Sequence, residues 1–159
     1  MVNLERGARD VNGYRQSCHN VLDNKDIGRL NSEIEAIQAD KSVFRFNEGI
    51  KTGFSDRKAV IHVKGDVSPD LNSTHPRDLM SERAVLAHEY YGHYLFAPSE
   101  FEQGDWRDEM RASYIAALKT PNLSDEDRKY LMLDAYERAR EAGIPLEYSK
   151  KARGIIYGF

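Results

Sequence analysis

Cys18 is the single cysteine in 159 residues, which excludes an internal disulfide and a thiolate metal cluster. Any metal ion in this chain has to be held by imidazole and carboxylate, the donor set of catalytic sites rather than of closed structural ones. No apolar run approaches the length of a membrane span, and Met1-Val2-Asn3-Leu4-Glu5-Arg6 has no apolar stretch of the kind a secretory signal carries. No membrane partner is therefore expected. Basic residues are not in excess either: 23 Lys and Arg stand against 26 Asp and Glu. Phosphate binding wants clustered cations. The only cluster, Lys150-Lys151-Ala152-Arg153, reads as a solvated helix face, so nucleic acid is not an expected partner. Internal repeats and low-complexity segments are missing as well. What remains is an ordinary globular composition, 40% hydrophobic and 31% charged, sized for one domain over residues 1–159. A monomer is expected, either cytoplasmic or a domain of an exported or phage-borne chain.

Along the chain the hydrophobic period changes twice. Leu4, Ala8, Val11, Tyr14 or Arg15, Cys18 and Val21-Leu22 recur at helical spacing, and Ile27, Leu30, Ile34 and Ile37 repeat the pattern after the polar break Asp23–Asp26. Val43 to Phe46, Ile50 to Phe54 and Ala59 to Val63 are short β-prone runs, read as a three-stranded antiparallel meander. Gly65 to Arg77 is a long polar loop, of a length that is often functional. An apolar helix is expected from Leu79 or Met80 to Phe96, stopped by Pro98, and another from Asp105 to Leu118, ended by Thr120-Pro121-Asn122. Ser124 caps a charged helix with Gly143 past its end, and a last short helix falls between Glu147 and Ile156. The order of elements predicts an α+β fold: N-terminal helices, a small antiparallel sheet, then a helix carrying the site and the C-terminal helices.

Chemistry concentrates in His88-Glu89-Tyr90-Tyr91-Gly92-His93. Zinc peptidase helices usually carry His-Glu-x-x-His, where a four-residue step puts both imidazoles on one face and the glutamate beside the first reaches the activated water. Here the second histidine comes one residue late, and in an α-helix a step of five turns the side chain by about 140°. One π-type turn absorbs the extra residue. The sequence therefore predicts a π-bulge around Tyr90 to Gly92 that returns His93 to the face of His88, with Gly92 as the place where the backbone distorts most cheaply. Sixteen residues beyond His93 lies Glu109, far enough for the chain to turn at Pro98 to Gly104 and come back antiparallel. Ala112, Ser113, Ala116 and Ala117 would let that helix approach closely. Glu102, Asp105 and Asp108 are rival ligands, and Asp105 and Asp108 could instead orient the imidazoles.

His-Glu-x-x-Gly-His with its extra residue resembles the motif of the dipeptidyl peptidase III family of zinc metallopeptidases, His-Glu-Leu-Leu-Gly-His. Asp108-Glu109-Met110-Arg111-Ala112-Ser113 is similar to that family's downstream motif Glu-Glu-x-Arg-Ala-Glu/Asp, with Ser113 in place of the closing acid. The resemblance covers about a dozen residues, with a much shorter spacer between the two motifs. It implies a zincin-like Zn2+ site with His88, His93 and Glu109 as metal ligands and Glu89 as general base. It does not imply the family's dipeptide-releasing specificity. More loosely, the short spacer resembles small zincin domains of bacterial toxins and mobile elements, which would imply an effector role and an inhibitor or immunity protein as partner.

On that reading the chain is a zinc-dependent hydrolase acting on a peptide or protein substrate. Zinc lowers the pKa of a bound water to about 7, and Glu89 would take its proton and return it to the leaving amine. Tyr90, Tyr91, Tyr94, Tyr114 and His75 are candidate donors to the developing oxyanion. His75, in the polar loop, is preferred as the second catalytic residue, because the tyrosines suit core packing. His19 and His62 are assigned no role. By analogy with zincins, Ala59 to Val63 would be the strand that pairs with an extended substrate. The alternative reading is a catalytically inactive zincin-like binding or regulatory module. An intact Glu89 argues against it.

Overall fold

The structure, a computed structural model, describes residues 15–158. The first expected helix falls largely on residues 1–14, outside the described residues. From Arg15 to Asp23 the chain runs through bends and turns instead of helix. Two side chains account for this. Asn47 takes both backbone groups of Leu22, accepting its N–H at 2.9 Å and donating to its carbonyl at 2.9 Å. Arg15 sends its guanidinium into the 65–80 region, donating to the carbonyls of Asp66, Val67, Arg77 and Met80. The polar loop that looked structureless is thereby laced from within. It also carries a short 3-10 turn, Gly65–Val67, and the one-turn helix α2, Pro76–Leu79.

Helix α1, Asn24–Ala36, starts at a capping box: Asp23 accepts from the Asp26 N–H while the Asp26 carboxylate accepts from that of Asp23. Its Leu30 and Ile34, with Ile37 just beyond, are fully buried. Three short strands follow, β1 (Phe44–Phe46), β2 (Gly53–Ser55) and β3 (Val60–Val63). Their order is β1-β3-β2, with β3 central, parallel to β1 and antiparallel to β2. The sheet is mixed, and the expected antiparallel meander is corrected. At the end of β1 the chain turns away through Asn47 and Gly49, both at positive φ, so β1 never pairs with β2. Residues 50–52, expected in the second strand, stay outside the ladder, and Ile50 is 83% exposed.

Ser81 caps α3, Glu82–Ala87, which passes directly into a π-helical segment, His88–His93, and a closing 3-10 turn, Tyr94–Phe96. The remaining helices are α4 (Trp106–Lys119, capped by Asp105), α5 (Asp125–Glu141, capped by Ser124) and α6 (Lys150–Tyr157, capped by Ser149). Ala152 of α6 is buried while Lys150, Lys151 and Arg153 are exposed. That is the solvated basic face expected of the cluster. Leu86 of α3, Ile61 and Val63 of β3, and Leu131 and Met132 of α5 meet the α1 residues in one core. The fold is α+β, with the π segment held between the sheet on one side and α4 on the other. Among the described residues no helix is long and apolar enough to cross a membrane.

Candidate metal centre

Inside the π segment the i→i+5 bonding pattern adds one residue to a turn, and the consequence is direct. His88 and His93, which an α-helix would point apart, bring their Nε2 atoms to 3.2 Å, with rings 4.8 Å between centroids and tilted by 75°. The tyrosines between them face away into packing. Tyr90 stacks on Phe44 and Tyr94, and the Tyr91 hydroxyl donates to the carbonyl of Ile37 at 2.6 Å. The π turn thus sorts the motif into a polar face of His88, Glu89 and His93 and an apolar face against the sheet.

Gly92 has a more specific task than backbone freedom. A Cβ there would stand 2.5 Å from the carbonyl oxygen and 2.7 Å from the Cβ of Ala112, so glycine is what allows α4 to lie against the π segment. Ala112, Ser113, Ala116 and Ala117 are all fully buried along that contact, as their small size required. Gly92→Ala is therefore expected to push the two elements apart, costing about 1–3 kcal/mol and lowering metal uptake in the same protein. Thermal unfolding beside metal content checks both effects, and wild-type behaviour in both would contradict the close approach.

That close approach delivers Glu109. One carboxylate oxygen, Oε1, lies 3.0 Å from His88 Nε2 and 3.3 Å from His93 Nε2. His88, His93 and Glu109 thus form a possible metal site, with one ligand atom from each converging. A tetrahedral ion with bonds of about 2.0 Å separates its ligand atoms by about 3.3 Å, and the three observed separations are 3.0, 3.2 and 3.3 Å.

Hydrogen bonding on the far side of each ring fixes what faces inward. His88 Nδ1 lies 2.8 Å from Ser113 Oγ, and that hydroxyl donates its only proton to Asp134 at 2.6 Å. Ser113 must accept from His88, so Nδ1 carries a proton and Nε2 turns its lone pair inward. His93 Nδ1 faces the Asp108 carboxylate at 3.4 Å. Asp108 is itself held by Arg111, whose other arm donates to the carbonyl of Gly92 at 2.8 Å. Two imidazole Nε2 atoms and a carboxylate oxygen then meet at one point, an arrangement that a proton or a metal cation can bridge. Burial works against a charge on His93, but the Glu109 carboxylate, with Glu89 and Asp108 nearby, raises its pKa above the usual value. Burial likewise opposes the charge on Glu109, yet both imidazoles and Arg138 hold it well below the usual carboxylate range. The donor set fits a divalent ion.

Glu89 lines the same cleft as His88, His93 and Glu109, a concavity of about 710 Å³. Its Oε1 accepts the backbone N–H of Phe54 at 3.0 Å. The strand that borders the site is therefore β2, an outer strand, and not the expected Ala59 to Val63, whose residues 60–63 form β3 at the centre of the sheet. The Phe54 ring stacks against His93 with centroids 6.2 Å apart.

The other candidates lie elsewhere. His75 caps α2, accepting the Arg77 N–H at Nδ1, and its Nε2 is 2.9 Å from Glu141. Both nitrogens are used in that cluster, and His75 does not line the cleft. Tyr114 bonds to Ser149. Asp105 caps α4 and pairs with Arg107, and Glu102 is exposed. His19 is exposed, whereas His62 does line the cleft, with an Nδ1 that has no partner among the described residues. Sequence reasoning missed Asp134 and Arg138. Asp134 is fully buried and supports His88 through Ser113. Arg138 bonds to Asp134 and stands 3.7 Å from Glu109. Their spacing of four on α5 was the available signal, an acid and an arginine on one face of a capped helix. Compared with known proteins, the chain matches no family model, no curated protein and no solved structure.

Proposed function

We propose that this chain is a zinc-dependent hydrolase, acting on peptide bonds with Glu89 as the general base. The supporting observation is the convergence of His88 Nε2, His93 Nε2 and Glu109 Oε1 at 3.0 to 3.3 Å, with Ser113 Oγ and the Asp108 carboxylate facing the outer nitrogens of the two rings. Two imidazoles and one carboxylate are a donor set that would suit zinc, and His88, His93 and Glu109 would hold it facing the cleft. When bound, zinc supplies Lewis acidity, acidifying a water and polarising a carbonyl. Glu89 neighbours His88 on the polar face of the π turn, faces the same cleft and carries no ligand role. It accepts a proton and hands it to the leaving amine. The Phe54 N–H fixes where its carboxylate sits. Arg138 bonds to Asp134 through Nε and lies 3.7 Å from Glu109 through Nη1, so it holds the Glu109 carboxylate in place beside the cleft.

Zinc content by plasma mass spectrometry, wild type beside His88→Ala and Glu109→Ala, tests the site. Hydrolysis of a quenched fluorescent peptide with and without chelator tests the activity. About one zinc per chain, lost in both variants, together with chelator-sensitive cleavage, is the expected result. No zinc taken up even when it is added would overturn the site. Zinc without cleavage of any peptide would leave a binding module.

A further inference from the structure

The cleft above the three ligands is unevenly charged. Its acids are Asp66, Glu89 and Glu109, and each is already engaged. Asp66 accepts from the N–H and hydroxyl of Thr52, Glu89 from Phe54, and Glu109 belongs to the metal site. Of its cations, Arg15 is spent on backbone carbonyls, Arg77 on Asp134 and Glu141, and Arg138 on Asp134 beside Glu109. Three cations remain: Lys51, Arg57 and Lys58 line the cleft, are exposed, and make no ion pair among the described residues. Asp56, in the same turn as Arg57, does not line the cleft.

The placement of these three matters more than their number. Lys51 precedes β2 by two residues, and Arg57 and Lys58 follow it by two and three. The outer strand beside the metal site therefore has unpaired positive charge at both ends. Its middle residue, Phe54, gives its N–H to Glu89, while its carbonyl accepts the side-chain amide of Gln103. Gln103 is exposed, so an extended chain entering along β2 displaces only a solvated amide to reach that carbonyl.

We infer that the cleft selects extended peptides with acidic side chains on both sides of the residue lying over His88, His93 and Glu109. This rests on the hydrolase reading for what happens to the peptide, not for whether it binds. The Phe54 carbonyl supplies a sequence-independent backbone bond, and the cations at the two ends supply the discrimination. A hexapeptide in extended form spans about 20 Å, enough to cover β2 and both flanks.

The test uses zinc-loaded Glu89→Gln protein and fluorescent hexapeptides matched in length, with acidic, neutral or basic flanking side chains, read by anisotropy at low and physiological salt. Cleavage of the same peptides by the wild type is followed in parallel by mass spectrometry. The acidic peptide should bind on the order of tenfold more tightly than the neutral one, with the advantage shrinking as salt rises. The ratio should fall to near unity in Lys51→Glu/Arg57→Glu/Lys58→Glu. Equal binding of acidic and neutral peptides, or equal binding of a single-stranded DNA of the same charge, would overturn the inference. Acidic peptides bound but never cut would keep the selection and remove the hydrolase reading. Cutting without acid preference would do the reverse.

Discussion

Glu89→Gln should lower peptide hydrolysis by about 10²- to 10⁴-fold, the usual worth of a positioned general base, while the protein still carries its zinc. The expectation combines two features of the site. Glu89 contributes no atom to the converging set of His88, His93 and Glu109, so its charge is not needed to hold the ion. Its one anchor among the described residues is the Phe54 N–H, and a glutamine oxygen accepts that bond equally well. The substitution thus removes proton-accepting capacity and little else. Turnover measured at saturating substrate, beside zinc content and thermal unfolding, separates the outcomes. Loss of zinc would make Glu89 a ligand, and retained turnover would end its role as base. Retained zinc, retained fold and lost turnover is the only combination that fits.

The cluster of His88, His93 and Glu109 was readable because its strongest constraint is local. His88, Glu89, Gly92 and His93 lie within six residues, and a five-residue step between two histidines has one helical solution, the π turn seen at His88–His93. Glu109 was reachable because a short spacer and a run of small residues on its own helix restrict where it can return. The supports were hidden for the opposite reason. Ser113 looks like the loss of an acid when compared with the resembled motif. The carboxylate arrives instead from Asp134, 21 residues later on the next helix, through the Ser113 hydroxyl. No spacing rule connects those two positions. His75 misled because a histidine in a polar loop ahead of the site looks free to reach it, whereas helix capping and Glu141 use both its nitrogens. The sheet order failed at a similar point. Three strands of three or four residues carry too little alternation to fix pairing, and the decisive bonds come from Asn47, which joins the end of β1 to Leu22.

Asp134 should give the largest stability effect in the chain. Its carboxylate is fully buried and accepts from Arg77 at 2.8 Å, Arg138 at 3.0 Å and Ser113 at 2.6 Å. Asp134→Asn keeps the volume but leaves two guanidiniums short of their shared counter-charge, and breaking a buried pair in this way costs about 3–5 kcal/mol. Within a total stability on the order of 5–15 kcal/mol that is a large share. The same residue sets a pH dependence. Burial alone would raise the Asp134 pKa, but Arg138 and Arg77, with His88 and Ser113, hold it well below the usual carboxylate range. A depressed folded-state pKa stabilises the fold above the unfolded value of about 3.9. That contribution fades as pH falls below it, because the unfolded chain takes up a proton that the folded one refuses. Urea unfolding of both proteins at pH 7 and then at steps below 4 should show a wide gap that narrows with acid, by at most about 1.4 kcal/mol per pH unit. A gap independent of pH would mean that the lost stability came from packing, and that Asp134 carries no special charge burden. A narrowing gap ties the chain's acid resistance to the same carboxylate that, through Ser113, turns His88 towards His93 and Glu109.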